Sequence, residues 1–299
     1  MKTRITFLFI VVLVASIGCK KRLDGFLFNN EDSITEYQLD DYKGELSLDL
    51  PSGYFIPENQ IFEFDYDIQM PDEKLNVAAI YVGDTAAIKA DTVILYCHGN
   101  KDHMDHYWPR QKLLSYIGHQ GRFGVLMFDY QGYGLSEGTP TEENMYEATN
   151  GALKWLKSKG LTDTRLIIYG YSLGSAPASK AVGDQSFVLN PNKIILESPF
   201  ASSQVMVQDA ALLDMPSSYF VNVKINNVEQ MKKCTAPLFW MHGEDDDFLD
   251  METHGDLVYK NHTKSWKQKL IVPGADHTNV PVFIGIEEYK LKILEFLEN

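Results

Sequence analysis

The stretch L166-I-I-Y-G-Y-S-L-G-S-A-P-A178 runs from strand-forming residues through two glycines into small residues, with Ser172 between the glycines. G-x-S-x-G arises by accident in about one chain in ten of this length, given ordinary Gly and Ser usage, so the motif decides nothing alone. Its neighbourhood does. Leu166 to Tyr171 suits a strand buried on both faces, and Ser175 to Val182 suits a helix, so Ser172 falls on a strand-to-helix turn.

The same alternation extends outward. "IFEFDYDIQ" and "NVAAIYVGD" alternate like half-buried strands joined by a hairpin at "MPDEKLN". "TVILYCHG", "GVLMFDYQ", "KIILESP", "PLFWMHGE" and "KLIVPGADH" are near-continuous apolar runs like the one before Ser172. Helical stretches lie between them at 107–120, 142–159, 175–182, 251–261 and 284–297. Alternation of this kind predicts an α/β fold with a mostly parallel sheet, right-handed crossovers and helices on both faces. Ligands of such sheets bind beyond the carboxyl ends of the strands. The connection from Phe200 to Lys233 exceeds thirty residues, which suits either a short lid over that edge or a long helical crossover.

The strand ends carry "HGNK" (98–101), "DYQGYGLS" (129–136), "GYSLG" (170–174), "ESPF" (197–200), "HGEDDD" (242–247) and "GADH" (274–277). A nucleophile, an acid cluster and a histidine thus share one edge in the order Ser, Asp, His. A serine hydroxyl attacks a carbonyl at neutral pH only if an imidazole takes its proton, and a buried carboxylate fixes that imidazole's tautomer. These residues leave Asp245, Asp246 and Asp247 all open as the acid. The Leu173 amide, at a helix start, would point at a developing oxyanion.

These motifs, in this order from about Glu58 to the C-terminus, resemble the α/β-hydrolase superfamily, in its branch of serine hydrolases with His-Gly-Asn after the third strand. The resemblance implies an α/β-hydrolase fold and an acyl-enzyme mechanism. Ser172 is then the nucleophile, His277 the base and Asp246 the acid, selected by the His-Gly-x-x-Asp register. The backbone amides of Asn100 and Leu173 form the oxyanion hole. Leu249-Asp250 stands where that register usually carries a proline. The substrate class implied is a carboxylic ester-like or amide-like acyl compound. A serine aminopeptidase, a thioesterase and a non-catalytic binding protein on the same scaffold are the alternatives, because fold alone does not fix function.

No cofactor is expected: Gly-x-Gly-x-x-Gly and P-loop patterns are absent. His103-Met-Asp105-His106 resembles half of the His-x-His-x-Asp-His signature of metallo-β-lactamase-fold enzymes, but Lys101 stands two before His103, where that signature has a histidine and a cation cannot serve as a ligand, so a polar loop is expected there and no metal. Asp129 is read as part of a structural turn and His98 as a packing residue. Cys97 and Cys234, beside apolar runs, are expected as buried free thiols.

At the N-terminus Lys2 and Arg4 precede an uncharged run, Ile5 to Gly18, which is short for a membrane span and fits a signal peptide. Ser16-Ile17-Gly18-Cys19 resembles a bacterial lipobox, which implies lipidation at Cys19 and an exported, membrane-anchored protein of the cell envelope. The expected organisation is a signal peptide over 1–18, a tether and lead-in over 19–57, and a hydrolase domain over 58–299 with its lid at about 200–233. Loss of residues 1–18 would carry the net charge from −14 to −16. That charge disfavours nucleic acid as a partner.

Overall fold

The computed structural model describes residues 27–44, 50, 53–211 and 223–299. The expected signal peptide, Cys19 and the middle of the expected lid lie outside these residues.

Eight strands form one sheet: β1 (Ile61–Gln69), β2 (Lys74–Val82), β3 (Thr92–Cys97), β4 (Phe123–Phe128), β5 (Leu166–Tyr171), β6 (Lys193–Glu197), β7 (Leu238–Gly243) and β8 (Lys267–Val272). Their order is β1-β2-β4-β3-β5-β6-β7-β8. The β1/β2 hairpin is antiparallel, with Ile61 opposite Val82, and β2 lies antiparallel to β4. All remaining pairs are parallel. The sheet is the one the apolar runs predict, including the hairpin at its start. β1 alternates between exposed and buried residues because it is an edge strand, whereas β3 to β7 are buried almost throughout.

The helices are α1 (Met104–Ser115), α2 (Glu142–Ser158), α3 (Ser175–Gly183), α4 (Ser203–Ala211), α5 (Asn227–Lys233), α6 (Gly255–Asn261), α7 (Val280–Ile284) and α8 (Ile286–Glu298). Local chemistry sets their ends. The Thr141 hydroxyl accepts from the Asn144 amide at 3.1 Å and caps α2, with Glu142 and Glu143 in the first turn. Three expected helices differ from the sequence reading. The one over 251–261 begins only at Gly255, residues 251–254 being a turn. α1 begins at Met104 rather than 107, and it ends before 120 because Gly118 and Gly121 adopt φ of 75° and 74° and divert the chain. The helix expected over 284–297 is two pieces broken at Gly285, whose φ is 89°.

The sheet divides the apolar interior into two cores. One face packs on residues of α2, α3 and α5, such as Leu153, Ala178 and Met231. The other packs on α1 and α8 through residues such as Trp108, Ile293 and Phe296. Each large side chain so buried contributes about 1.5–3 kcal/mol. Cys97 and Cys234 are buried free thiols, and burial pushes Cys234 up to about 12. Strand order reverses around β3, so the ends of β3 and β5 form the crevice where sheets of this kind bind ligands.

Within the expected lead-in, residues 27–44 lie against the domain. Asn29–Asn30 pairs in parallel with Lys101–Asp102. Within the expected lid, α4 covers the strand ends, while α5 packs against α3 like an ordinary crossover helix.

Candidate active site

Ser172 sits on the turn from β5 to α3 with a φ of 50°, a left-handed backbone that few non-glycine residues adopt. Such strain persists only where the surroundings impose it. Here both flanks do. A Cβ on Gly170 would meet the Gly174 carbonyl oxygen at 2.6 Å, and one on Gly174 would run into the Cys97 carbonyl. The Ser175 hydroxyl donates to the Ser172 carbonyl at 2.6 Å and accepts from Asn227 Nδ2 at 3.0 Å, so α5 also holds the turn.

The sharp turn aims Ser172 at the loop after β8. His277 Nε2 lies 2.9 Å from Ser172 Oγ, and His277 Nδ1 lies 2.8 Å from Asp246 Oδ2. Of the three clustered aspartates only Asp246 is buried; Asp245 and Asp247 are exposed. The other Asp246 oxygen, Oδ1, accepts from the amides of Phe248 and Leu249 at 3.1 and 2.8 Å. Beneath it, His242 Nε2 stands 3.1 Å from Asp246 Oδ2 and 2.9 Å from the Leu249 carbonyl. Burial works to raise the Asp246 carboxyl, but the hydrogen bonds from His242, His277 and the Leu249 amide outweigh it. The group is held well below the usual carboxylate range.

The loop bearing His277 is fixed separately. Asp276 Oδ1 accepts from the amides of Thr278 and Asn279 at 2.7 and 3.1 Å, and Asn279 Oδ1 accepts from the Asp276 amide at 2.8 Å. Arg110 of α1 donates to the Thr278 carbonyl at 2.8 Å and pairs with buried Glu197 at 2.7 Å. Glu197 also accepts from Tyr289 at 2.8 Å and from Tyr169. Tyr171 donates to the His277 carbonyl at 3.3 Å.

Asn100, after β3, and Leu173, after Ser172, both line the cavity that holds Ser172. Asn100 uses its carbonyl oxygens as acceptors, and its amide donates to no protein group among the described residues. Leu173 lies in the single 3-10 turn, Ser172–Gly174, that leads into α3, where amides lack an intrahelical partner. The cavity is about 640 Å³, walled by Leu27, Leu173, Phe200, Met206, Val207 and Phe248, with Asp209, Asp247 and Asp250 towards one side. His254 accepts from the Ala201 amide at Nδ1, 3.2 Å, so its Nε2 carries the proton and faces Asp209 Oδ2 at 3.2 Å.

The other residues singled out in the sequence have different roles. Asp129 accepts from Tyr37 at 2.7 Å, and His98 packs between Tyr107 and Tyr130. Asp105 accepts from the amides of Gln38 and Leu39, both at 2.8 Å. Both carboxylates therefore hold the N-terminal segment.

This fold has counterparts among solved structures. An esterase of Pyrococcus furiosus, Pf2001, superposes with a TM-score of 0.64 over 91% of this chain and 97% of its own, at 18% identity. The fold is that of the α/β hydrolases. The family model described as serine aminopeptidase, S33, matches residues 88–230 of this hydrolase-fold chain. YfhR of Escherichia coli K12 is 27% identical over 219 residues, which cover 71% of this chain and 72% of YfhR. The human α/β hydrolase domain-containing protein 17B is 29% identical over 197 residues, covering 65% of this chain and 63% of its own length. Part of each relative thus lies outside the matched region.

Sequence reasoning did not assign roles to Ser175, His242, Arg110 or Glu197. Glu197 carried a signal, as a carboxylate closing the apolar run of β6.

Proposed function

We propose that this α/β-hydrolase-fold chain is a serine hydrolase working by acyl transfer on a carboxylic ester with an apolar acyl group. The observation that carries this reading is the hydrogen-bonded series Asp246–His277–Ser172, 2.8 and 2.9 Å, opening into an apolar cavity. His277 Nε2 takes the Ser172 proton as Oγ attacks the carbonyl carbon, and Asp246 holds Nδ1–H and stabilises the imidazolium. The amides of Asn100 and Leu173 receive the negative oxygen. His277 then gives the proton to the leaving alkoxide, and the acyl group stays on Ser172. Water, deprotonated by the same imidazole, attacks the acyl carbon; the acid leaves and Ser172 regains its proton.

Two comparisons bear on the bond cleaved: the P. furiosus neighbour is an esterase and the matched family model is a serine aminopeptidase. The mostly apolar cavity wall favours the ester of an apolar acid. The test is labelling by a fluorophosphonate together with hydrolysis of p-nitrophenyl esters. Wild type is expected to label on Ser172 and turn over, and Ser172→Ala to do neither. An unlabelled, inactive wild type would instead indicate a binding protein on the hydrolase scaffold.

The same reading includes export and lipid anchoring at Cys19, supported by the residues Ser16 to Cys19. Two acyl chains would anchor the protein stably, whereas one binds only marginally. Mass spectrometry of the mature N-terminus tests it: a diacylated Cys19 is expected, and an unmodified Cys19 rejects it.

A further inference from the structure

The N-terminal segment does more than lead into the domain. Leu27 is fully buried and forms part of the catalytic cavity wall, where it clusters with Val207 of α4. Two residues later, the Asn29 amide donates to Asn100 Oδ1 at 2.7 Å and lies 3.3 Å from the Asn100 carbonyl oxygen. Tyr133 donates to the same two oxygens, at 3.1 Å each. Asn100 is thus pinned from both sides through its acceptors, and its backbone amide has no protein acceptor among the described residues.

The segment is itself firmly held. The Glu31 amide donates to the Asp102 carbonyl at 3.1 Å, and the Gly134 amide donates to the Glu31 carbonyl at 2.7 Å. Tyr37 reaches Asp129, Asp105 receives the Gln38 and Leu39 amides, and Asp40 accepts from Trp108 Nε1 at 3.0 Å. A Cβ on Gly134 would occupy the space of the Asp129 carboxylate, and that glycine has a φ of 53°. These anchors reach α1 and the loop after β4, so the segment crosses the end of β3 as a tied strap.

We infer that residues 27–44 are a working part of the active site, in which Asn29 positions the Asn100 amide for the oxyanion and Leu27 limits the acyl group the cavity accepts. The inference rests on the roles proposed above for Ser172 and Asn100. Asn29 touches no reacting atom and is a positioning residue. An oxyanion donor is worth about 10²–10³ in kcat, and misplacing it forfeits part of that factor. Leu27, by contrast, acts through volume.

The experiment uses the full chain. Fluorophosphonate labelling of wild type at Ser172 comes first, and its failure rejects the hydrolase reading itself. With labelling in hand, Asn29→Pro, which removes the amide hydrogen, is compared with Asn29→Ala, which keeps it. The proline variant is expected to lose at least tenfold in kcat with KM changed less than threefold, and the alanine variant to stay within about twofold of wild type. Leu27→Ala is expected to raise the kcat/KM ratio of dodecanoyl to butanoyl p-nitrophenyl ester at least fivefold, with Leu27→Met unchanged. Should Asn29→Pro fold poorly, the Leu27 pair still decides. Equal kcat in both Asn29 variants, or an unaltered chain-length profile in Leu27→Ala, overturns the inference while leaving the hydrolase reading intact.

Discussion

Arg110 donates a 2.8 Å hydrogen bond to the carbonyl of Thr278, the residue that follows the candidate base. The same guanidinium pairs with Glu197 and lies over the Tyr171 ring at 3.9 Å, so one side chain links α1, β6 and the His277 loop. Arg110→Met strands a buried carboxylate and is expected to cost about 3–5 kcal/mol. Arg110→Lys recovers little, since an ammonium cannot serve the carbonyl and the carboxylate in the fork geometry. Adding Glu197→Gln to Arg110→Met returns part of the loss. Urea midpoints of the four proteins check this, and a stable Arg110→Met single variant would falsify it.

The elbow predicts a sharp contrast between glycines. Gly174→Ala places a methyl on the Cys97 backbone, which cannot move without breaking β3, so a loss above about 3 kcal/mol is expected. Gly53, with open space around its missing Cβ, tolerates alanine within about 0.5 kcal/mol. Thermal unfolding of the two variants separates them.

Asp246→Asn is expected to lower kcat by about 10⁴-fold, because an amide leaves the imidazole with the wrong tautomer. Asp245→Asn, changing an exposed neighbour, leaves kcat within about twofold. Steady-state hydrolysis of one activated ester suffices, and equal losses in the two variants would remove Asp246 from its assigned role.

Acidity affects stability through His106. Burial, opposed by Asp102 and assisted by Lys101 and Arg110, pushes this imidazole down to about 4. The unfolded chain, with its histidine near 6.5, binds the proton first, so stability is full above about pH 6.5 and falls as pH drops towards 4. The loss is at most about 3 kcal/mol over that window. His106→Asn should flatten the fall; urea unfolding at pH 7.5, 5.5 and 4.5 in both proteins measures it, and parallel curves refute it.

Asp246 is shifted in the same direction, by hydrogen bonds rather than by burial. Its lowered carboxyl remains ionised through the range where activity is measured, so the acid limb of log kcat/KM against pH should have a slope of one. A slope of two between pH 5 and 7 would show a second essential proton.

Most of the sheet was legible because buried parallel strands must be apolar on both faces, which leaves a run in the sequence whatever the partners are. The strand ends were legible for the same reason, since Ser172, Asp246 and His277 each follow such a run. The chemistry of the residues alone left Asp245, Asp246 and Asp247 open and only the His-Gly-x-x-Asp register of the resemblance pointed to Asp246, because the choice depends on which carboxylate receives the Phe248 and Leu249 amides. Residues 27–44 dock chiefly by backbone hydrogen bonds and by single polar anchors such as Tyr37, which leave no periodic pattern. Arg110 carries no signal of its own, because its partners Glu197 and Thr278 are distant in sequence.

The strap, the elbow and the His277 loop also set when this centre can exist. Residues 29, 100, 172, 246 and 277 must all meet, so a growing chain carries the nucleophile long before it carries the base. Such long-range closures come late and slowly in folding. On the proposed hydrolase reading, acyl transfer is therefore withheld from every translation product that stops short of His277, and it begins only once residues 27–44 and the His277 loop have both reached the end of β3 and β5.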